Sequence, residues 1–242
     1  MPIARRTLLT APDDAPDKLR PYSFHGMELV VRGGHGVGDC PFCGSDGKFS
    51  ADVDSGLWRC FVCGGGTDTG GGNALTFLRL LHRAAVATTQ TTFHASVASD
   101  RRLCASATVA SWGVCQSPIP SHSWLLPGYN TEGRLDQLYR RTYLDGGWRF
   151  LPTPGIWPEG RVHALHLPVR DFDPNRNDVV ICEGPWDAMA LWELEDWAEQ
   201  GINVLAVPGC NVWRDDWSAL CKGKEVSLMY DSDHPRVPPQ GG

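Results

Sequence analysis

The sequence predicts a mixed fold in two parts. The first is a small α+β domain built on a β-hairpin, and the second is an α/β domain with a parallel sheet. The first part is predicted because two Cys-x-x-Cys pairs lie on either side of two short strand patterns. The second is predicted because the last third of the chain alternates strand, helix, strand, helix and strand, an order typical of parallel sheets with crossover helices.

The four paired cysteines predict a closed metal site. The two pairs are separated by 16 residues, and each is followed by a glycine that permits a tight turn. Phe49 to Val53 and Leu57 to Cys60 are predicted as the hairpin strands that bring the pairs together. Four thiolates at this spacing are typical of structural zinc, which leaves no coordination position open. The predicted zinc ligands are Cys40, Cys43, Cys60 and Cys63.

Composition divides the chain into segments. An Ala-, Pro- and Asp-rich start predicts a flexible N-terminus, and a stretch rich in Ala, Thr and Ser without a strong pattern predicts an interdomain linker. Asn73 is predicted to cap a short helix over 74–81. The predicted segments are the flexible N-terminus 1–21, the zinc-ribbon domain 22–84, the linker 85–106, a strand-rich part 107–170 and the α/β part 171–242.

Charge and cysteine content restrict the class of protein. The 242 residues carry a net charge of -6, which argues against a basic coat for nucleic acid, and the positive charge is 18 Arg against 4 Lys. Five cysteines outside the pairs, an odd number, favour a reducing cytoplasm over a disulfide framework. We expect no membrane span, because no apolar run approaches about 20 residues.

Acidic residues follow two strands of the predicted parallel sheet. Glu183 comes directly after the strand 179–182, while Asp231 and Asp233 end the strand 226–230. Strand ends of a parallel sheet meet at one edge, so these carboxylates are expected to converge there, with Asp187 one helical turn beyond Glu183. Carboxylates that converge suit a hard cation such as Mg²⁺. The alternative is that the aspartates are ordinary turn residues and Glu183 a helix-start acid.

These motifs resemble a known family. The segments 180–188, which includes Glu183-Gly184-Pro185-Trp186-Asp187, and 230–233 are similar to the two acidic motifs of Toprim domains. Val207-Pro208-Gly209 resembles the Toprim middle strand and its turn. A zinc ribbon followed by a Toprim domain resembles DnaG-type DNA primases and the primase half of phage primase–helicases.

The resemblance extends through the middle of the chain, and so runs from about residue 35 to 233. Three segments are similar to parts of the primase polymerase core: 111–118, the Glu132-Gly133-Arg134 hairpin with Tyr139-Arg140-Arg141 beyond it, and 148–154. Some positions depart from the family pattern. All four zinc ligands are cysteines, His234 follows Asp233, and Glu159 stands where the family often has lysine. The chain ends nine residues after Asp233, which predicts an incomplete Toprim domain.

The resemblance implies synthesis of short RNA primers on single-stranded DNA for replication. It implies Mg²⁺ or Mn²⁺ held by Glu183, Asp231 and Asp233, with Asp187 beside them, in a two-metal nucleotidyl transfer. Ribonucleoside triphosphates and a replicative helicase are the implied partners, in a primosome of phage or cellular origin. The residues expected to contact nucleotide or template are Arg140, Arg141, Arg149, Arg161, and, on the zinc hairpin, Lys48, Trp58 and Arg59.

Other functions stay open at this point. RecR recombination mediators also combine a four-cysteine zinc finger with a Toprim domain and are not catalytic, but they lack the segment of about 75 residues between the two. A Toprim nuclease would share the metal site without needing the primase-like middle, and no topoisomerase tyrosine is identifiable. A degenerate primase that only binds DNA is a further alternative. For Phe49 and Trp58, the alternative role is to cover the small zinc core.

Overall fold

The computed structural model describes residues 7–9, 15–64, 70–103, 105–119, 123–157, 162–194 and 199–231. The predicted fold class is confirmed, because the described chain combines helices with three sheets and its four paired cysteines lie in the first strand region. Within this part of the chain, no helix has the length and apolar character that a membrane span requires.

The first sheet is an antiparallel meander in which each strand pairs with the next. Its strands are β1 (Thr7–Leu9), β2 (Leu29–Arg32), β3 (His35–Gly38), β4 (Phe49–Asp52), β5 (Trp58–Cys60) and β6 (Gly71–Gly72). The predicted hairpin is β4 and β5, and the Asp52 carboxylate fixes its turn by accepting bonds from the Ser55 amide and hydroxyl, each at 2.7 Å. An aromatic cluster of Tyr22, Phe42, Phe49, Trp58 and Phe77 packs against this sheet.

The predicted linker 85–106 is largely helical. The helix α2 (Ala74–Thr88), capped by Asn73 as predicted, runs into it, α3 (Thr91–Arg101) fills most of it, and α4 (Ser106–Ser111) begins at its end. Val97 and Ala98 of α3 are buried in a core that also contains Trp112 of the following turn. Only these two residues of α3 are buried, so its sequence carries no helical period that would have identified it.

The predicted flexible segment 1–21 also contains ordered structure. β1 pairs with β2, and Leu19 is buried just before α1 (Arg20–Phe24). This helix contacts two sheets, since the Tyr22 hydroxyl donates to Gly56 O in the β4–β5 turn at 2.5 Å, whereas the following His25 lies 2.8 Å from Thr153 Oγ1. Ordering of this segment therefore follows from burial of apolar and hydrogen-bonded groups between the sheets.

The second sheet is antiparallel, and the third is parallel, as the alternation of strands and helices in the last third of the chain predicts. The second has the order β10-β9-β8-β7, from β7 (Cys115–Gln116), β8 (Trp124–Tyr129), β9 (Leu135–Leu144) and β10 (Gly147–Pro152). The third has the order β12-β11-β13, from β11 (Asp178–Cys182), β12 (Ile202–Ala206) and β13 (Glu225–Met229). The helix α5 (Pro185–Leu194) follows β11, and a 3-10 helix (Asp215–Leu220) follows β12.

A buried segment over 164–167 joins the second and third sheets. The backbones of Leu165 and Tyr129 exchange hydrogen bonds of 2.7 and 3.1 Å, and the backbones of His166 and Ala206 exchange bonds of 3.0 and 2.9 Å. Neighbouring residues of one short segment therefore hold β8 and β12. This fixes the carboxyl edge of the parallel sheet relative to the antiparallel sheet.

Arg214 forms a buried ion pair between the 3-10 helix and β9. Its guanidinium lies 3.2 Å from Asp136 Oδ2 and 2.7 Å from the carbonyl oxygen of His163. The Arg214 and Asp136 side chains are only 7 % and 6 % exposed, so removal of the arginine leaves a buried carboxylate without its cation. Arg214→Leu is expected to lower the free energy of unfolding by about 3–5 kcal/mol, measured by urea denaturation.

Arg134→Leu is the matched control for this prediction. Arg134 pairs with Glu132, but the two side chains are 65 % and 63 % exposed. Loss of an exposed pair is expected to change stability by less than about 1 kcal/mol. Equal effects of the two substitutions would contradict the role given to burial.

Candidate metal centres and nucleic-acid interface

The four predicted zinc ligands come together at one end of the first sheet. Cys40 Sγ lies 3.7 Å from Cys63 Sγ, and Cys43 Sγ lies 3.7 Å from Cys60 Sγ. A tetrahedron with metal–sulfur bonds of about 2.3 Å has edges of about 3.8 Å, so the cage fits zinc. In the described part of the chain, this is the only group of three or more His, Cys, Asp or Glu side chains whose ligand atoms all lie within 4.8 Å of one another.

The backbone around the cage supports the same assignment. Gly44 and Gly64 follow the two pairs with φ angles of +70° and +89°, a conformation that glycine adopts without strain. The amides of Val62 and Cys63 point to Cys60 Sγ at 3.4 Å, as expected for a sulfur that carries negative charge. Cys40 and Cys60 are buried, whereas Cys43 is exposed.

The outer surface of the zinc hairpin differs in part from the prediction. Trp58 is only 3 % exposed and stacks on Phe49 with ring centroids 5.4 Å apart, so its ring belongs to the domain core and cannot stack on a base. Lys48 and Arg59 are exposed, as their predicted role requires. Sequence reasoning missed Phe61, which is 59 % exposed and lies 4.4 Å from the Arg59 guanidinium. Its signal was an aromatic residue inside a cysteine knuckle.

The carboxyl edge of the parallel sheet carries the predicted acidic residues. Cys182 of β11 pairs with Met229 of β13; Glu183 follows β11 directly, and Asp231 lies two residues beyond the end of β13. The pKa of the Asp187 carboxyl is raised, first by burial and then by the negative charges of Asp231 and Glu183. The carboxylates are therefore close enough to repel one another, although they do not gather within 4.8 Å. Asp233 lies outside the described residues.

These oxygen donors fit a hard divalent cation. Glu183, Asp187 and Asp231 supply negative charge at one edge, and their mutual repulsion is the interaction that a bound cation would relieve. Gly184 provides the space for this arrangement, because a Cβ atom at Gly184 would lie 3.0 Å from Asp187 Oδ2. A larger residue would thus push the carboxylate away from its position.

Repulsion at this edge predicts that Asp187→Asn stabilises the metal-free chain at neutral pH. The pKa of Asp187 is higher in the folded chain than that of an ordinary aspartate, so the folded chain favours the protonated carboxyl. The free-energy cost of folding with an ionised Asp187 therefore grows as the pH rises from the ordinary aspartate range through the folded pKa. We expect a gain of less than about 1 kcal/mol at pH 7, because the carboxyl is only partly buried and water screens the repulsion. Urea denaturation at pH 7 and pH 4.5 should show the gain shrinking at the lower pH.

Asp54→Asn, in an exposed turn of the zinc hairpin, is the control for that comparison. Mg²⁺ is expected to stabilise the wild-type chain more than the Asp187→Asn chain, since the variant has lost a carboxylate that faces the cation. A variant that is less stable than the wild type at pH 7 would refute the repulsion.

The predicted arginines do not share one surface. Arg140 is half-buried and donates to Ser123 Oγ at 3.2 Å and to the carbonyl oxygen of Phe24, so it ties β9 to α1 and is not free to bind phosphate. Arg149 is exposed and pairs across the hairpin with Thr142, on the same face as Arg140. Arg141 pairs with Phe150 on the opposite face. Arg161 lies outside the described residues.

Arg141 belongs to an aromatic cluster that sequence reasoning missed. Its guanidinium lies 3.8 Å from the ring centroid of Trp124 and 4.8 Å from that of Trp148. Arg101 of α3 joins this cluster and lies 4.6 Å from the ring of Trp186, at the start of α5. These residues are up to 85 positions apart in the chain (Arg101 and Trp186), so their meeting carried no local sequence signal.

Comparison with known proteins finds similarity only among solved structures. No known protein family matches the sequence, and no curated protein matches it. The chain is similar to the zinc-binding and RNA polymerase domains of Aquifex aeolicus primase, with 14 % identity and a TM-score of 0.42, over 92 % of this chain and 73 % of that one. It is also similar to a DnaG primase catalytic domain bound to single-stranded DNA, with 18 % identity and a TM-score of 0.43, over 64 % and 63 % of the two chains.

A third similar structure comes from a bacteriophage T7 replication complex. It contains the lagging-strand DNA polymerase with the primase domains of two gp4 subunits, bound to an RNA/DNA hybrid and dTTP. The identity is 16 % and the TM-score 0.41, over 84 % of this chain and 82 % of that one.

Proposed function

We propose that this chain is a DNA primase, a nucleotidyltransferase that joins ribonucleotides on a single-stranded DNA template in the cytoplasm. The observation that carries the proposal is that Glu183 and Asp231 follow the carboxyl ends of the paired parallel strands β11 and β13, with Asp187 one helical turn beyond Glu183. This edge adjoins the face of the antiparallel sheet that bears Arg141 and the tryptophans around it. Phosphodiester synthesis requires carboxylates that hold divalent metal ions and, beside them, positively charged side chains that bind phosphate groups.

Each group has a distinct part in the proposed reaction. Glu183 and Asp231 would hold Mg²⁺ or Mn²⁺, with Asp187 beside them and with Asp233 as the further ligand that the motif implies. When bound, the cation supplies charge neutralisation at the transferred phosphate and lowers the pKa of the attacking hydroxyl. The carboxylates need not carry a proton in the reaction. Arg101 lines the cavity that Pro185 also lines, next to Glu183 and Asp187, and with the neighbouring Arg141 it would orient phosphate groups.

The zinc hairpin is the proposed template contact. Lys48, Arg59 and Phe61 are exposed on one domain, and their two cations and one aromatic ring suit the phosphates and bases of a single strand. The zinc has a structural part only, since four thiolates fill its coordination sphere. A replicative helicase is the proposed partner in the cell.

De novo primer synthesis tests this function. The zinc-loaded chain is incubated with single-stranded DNA of mixed sequence, Mg²⁺ or Mn²⁺, and labelled ribonucleoside triphosphates. We expect short RNA products that require the template, and no products when the DNA is omitted or fully double-stranded. Products are resolved on denaturing gels and identified by their sensitivity to alkali.

A second outcome would favour the non-catalytic alternative. The carboxylates do not lie within 4.8 Å of one another, which would also suit a module that binds DNA without catalysis. Binding of single-stranded DNA without any RNA product, in either cation, would replace the primase proposal with that of a RecR-like or degenerate DNA-binding module.

A further inference from the structure

Three tryptophans and two arginines stack in an alternating column at the junction of the second sheet with α3 and α5. We call this column the ladder, and its order is Trp186, Arg101, Trp124, Arg141 and Trp148. The four distances from guanidinium carbon to neighbouring ring centroid are 4.6, 5.9, 3.8 and 4.8 Å along that order. Cation–π contacts of this kind hold both guanidiniums between aromatic rings.

The ladder carries more positive than negative charge. Asp100 Oδ2 lies 3.5 Å from Arg101 Nε and 3.7 Å from Arg141 Nη2, so two guanidiniums share one carboxylate. Asp100 is itself 47 % exposed, and Arg141 Nε is buried without a hydrogen-bond partner. A second anion would therefore be attracted here, and a phosphate group matches the donor geometry of paired guanidiniums.

A cavity of about 240 Å³ adjoins the ladder. It is lined by the aromatic residues Tyr139, Trp148, Phe150 and Trp186, together with Arg101 and His166. His166 Nδ1 lies 2.8 Å from the carbonyl oxygen of Pro127 and donates to it, which leaves Nε2 as the acceptor of this ring. Flat aromatic walls with a few polar groups suit a planar heterocycle better than a sugar or an aliphatic chain.

The cavity lies next to the acidic edge. Pro185 and Pro208 also line it, and these residues follow the carboxyl ends of β11 and β12. Pro185 is two residues from Glu183 and two from Asp187. A ligand in the cavity would thus lie beside the carboxylates, at the edge where ligands of parallel sheets bind.

We propose that the ladder and this cavity form a subsite for one unpaired nucleotide, with its base against Trp148 and Trp186 and its phosphate on Arg101 and Arg141. The proposal rests on the proposed function for the choice of a nucleotide among flat anionic ligands. The nucleotide is a free ribonucleotide or one residue of a single DNA strand, and the two sources share this chemistry.

Equilibrium binding to the full, zinc-loaded chain tests the subsite. The probes are ATP, a ten-residue oligodeoxyadenylate and inorganic tripolyphosphate, which has no base, each titrated calorimetrically at constant Mg²⁺. Trp148→Ala is the main variant, because this ring is 58 % exposed and its removal does not open the core. We expect it to weaken binding of ATP, of the oligonucleotide, or of both by roughly 5- to 100-fold, and to leave tripolyphosphate binding unchanged.

Further variants separate base from phosphate. Trp148→Phe keeps an aromatic face and should retain most of the affinity, while Arg141→Gln should weaken all probes that the subsite binds, tripolyphosphate included. Trp213→Ala is the matched control, since this tryptophan is also exposed but packs on Trp217, outside the ladder. Loss confined to ATP identifies a site for free ribonucleotide, and loss confined to the oligonucleotide identifies a site for a template base.

The subsite is refuted if Trp148→Ala binds the base-containing probes as the wild type does, if it loses tripolyphosphate equally, or if the wild-type chain binds none of the probes. These outcomes are separable from the fate of the proposed function. If the wild-type chain makes no RNA but Trp148→Ala weakens its binding of ATP, the subsite is supported and the primase function is refuted. If the wild-type chain makes primers and Trp148→Ala binds ATP and the oligonucleotide as the wild type does, the primase function is supported and the subsite is refuted.

Discussion

Replacement of Asp231 by Asn is expected to reduce primer synthesis by at least about 10³-fold while the chain stays folded. Asp231 follows β13 at the acidic edge, and in the proposed reaction its carboxylate would help to hold the cation that neutralises the transferred phosphate. An amide of the same size keeps the shape of the side chain but removes the charge. The rate of RNA formation on single-stranded DNA at saturating Mg²⁺ measures the effect.

Glu225→Gln is the control, because Glu225 begins the same strand at its opposite end and is exposed. It removes the same charge from β13 without touching the acidic edge, so primer synthesis should stay within about twofold of the wild type. Binding of single-stranded DNA should survive both substitutions. An Asp231→Asn chain with wild-type activity would remove the acidic edge from the mechanism.

Removal of zinc is expected to unfold the first sheet. Structural zinc in small domains contributes on the order of 10–16 kcal/mol of apparent binding free energy at neutral pH, far more than the aromatic cluster of this domain could replace. Cys40 is 1 % exposed within the hydrophobic core. Cys40→Ser should therefore lose the metal, expose Trp58 and abolish hydrogen-exchange protection over β3 to β5.

Metal content by mass spectrometry and exchange by peptide mapping check this prediction, with a zinc-selective chelator as the chemical equivalent of the substitution. The matched control is Cys221→Ser, since Cys221 is a partly buried thiol that does not belong to the group of four cysteines. It should keep one zinc per chain and change stability by less than about 1 kcal/mol. Full protection over β4 and β5 in Cys40→Ser would show that the sheet folds without the metal.

The sequence predicted those parts of the fold that depend on local pattern. The structure confirms the grouping of the four cysteines, the hairpin of β4 and β5, and the parallel pairing of β11 with β12 and β13. These features were predictable because each depends on turn residues and short apolar runs that are neighbours in the sequence. The helix α3 was missed because only Val97 and Ala98 of its residues are buried, so packing against distant residues, not a helical period, stabilises it.

The candidate site was predictable residue by residue, but its surroundings were not. Strand alternation places Arg140 and Arg141 on opposite faces, and it does not say which face meets the parallel sheet. The contact of Arg140 with Phe24 depends on where α1 packs, and the ladder depends on three segments that meet only in the folded chain. Trp58 is buried because its ring completes a small core, which is the alternative role that the sequence left open for it.

The contacts of α1 and the adjacent His25 make the metal domain and the catalytic candidate one cooperative unit. Tyr22 is bonded to the zinc hairpin, whereas His25 and the carbonyl of Phe24 are bonded to the second sheet through Thr153 and Arg140. Unfolding of either sheet would leave these buried groups without hydrogen-bond partners. An intermediate with only one sheet folded is therefore destabilised by the loss of those hydrogen bonds. Zinc bound to the first sheet is therefore expected to stabilise the second sheet as well, through the groups that α1 and His25 place between them.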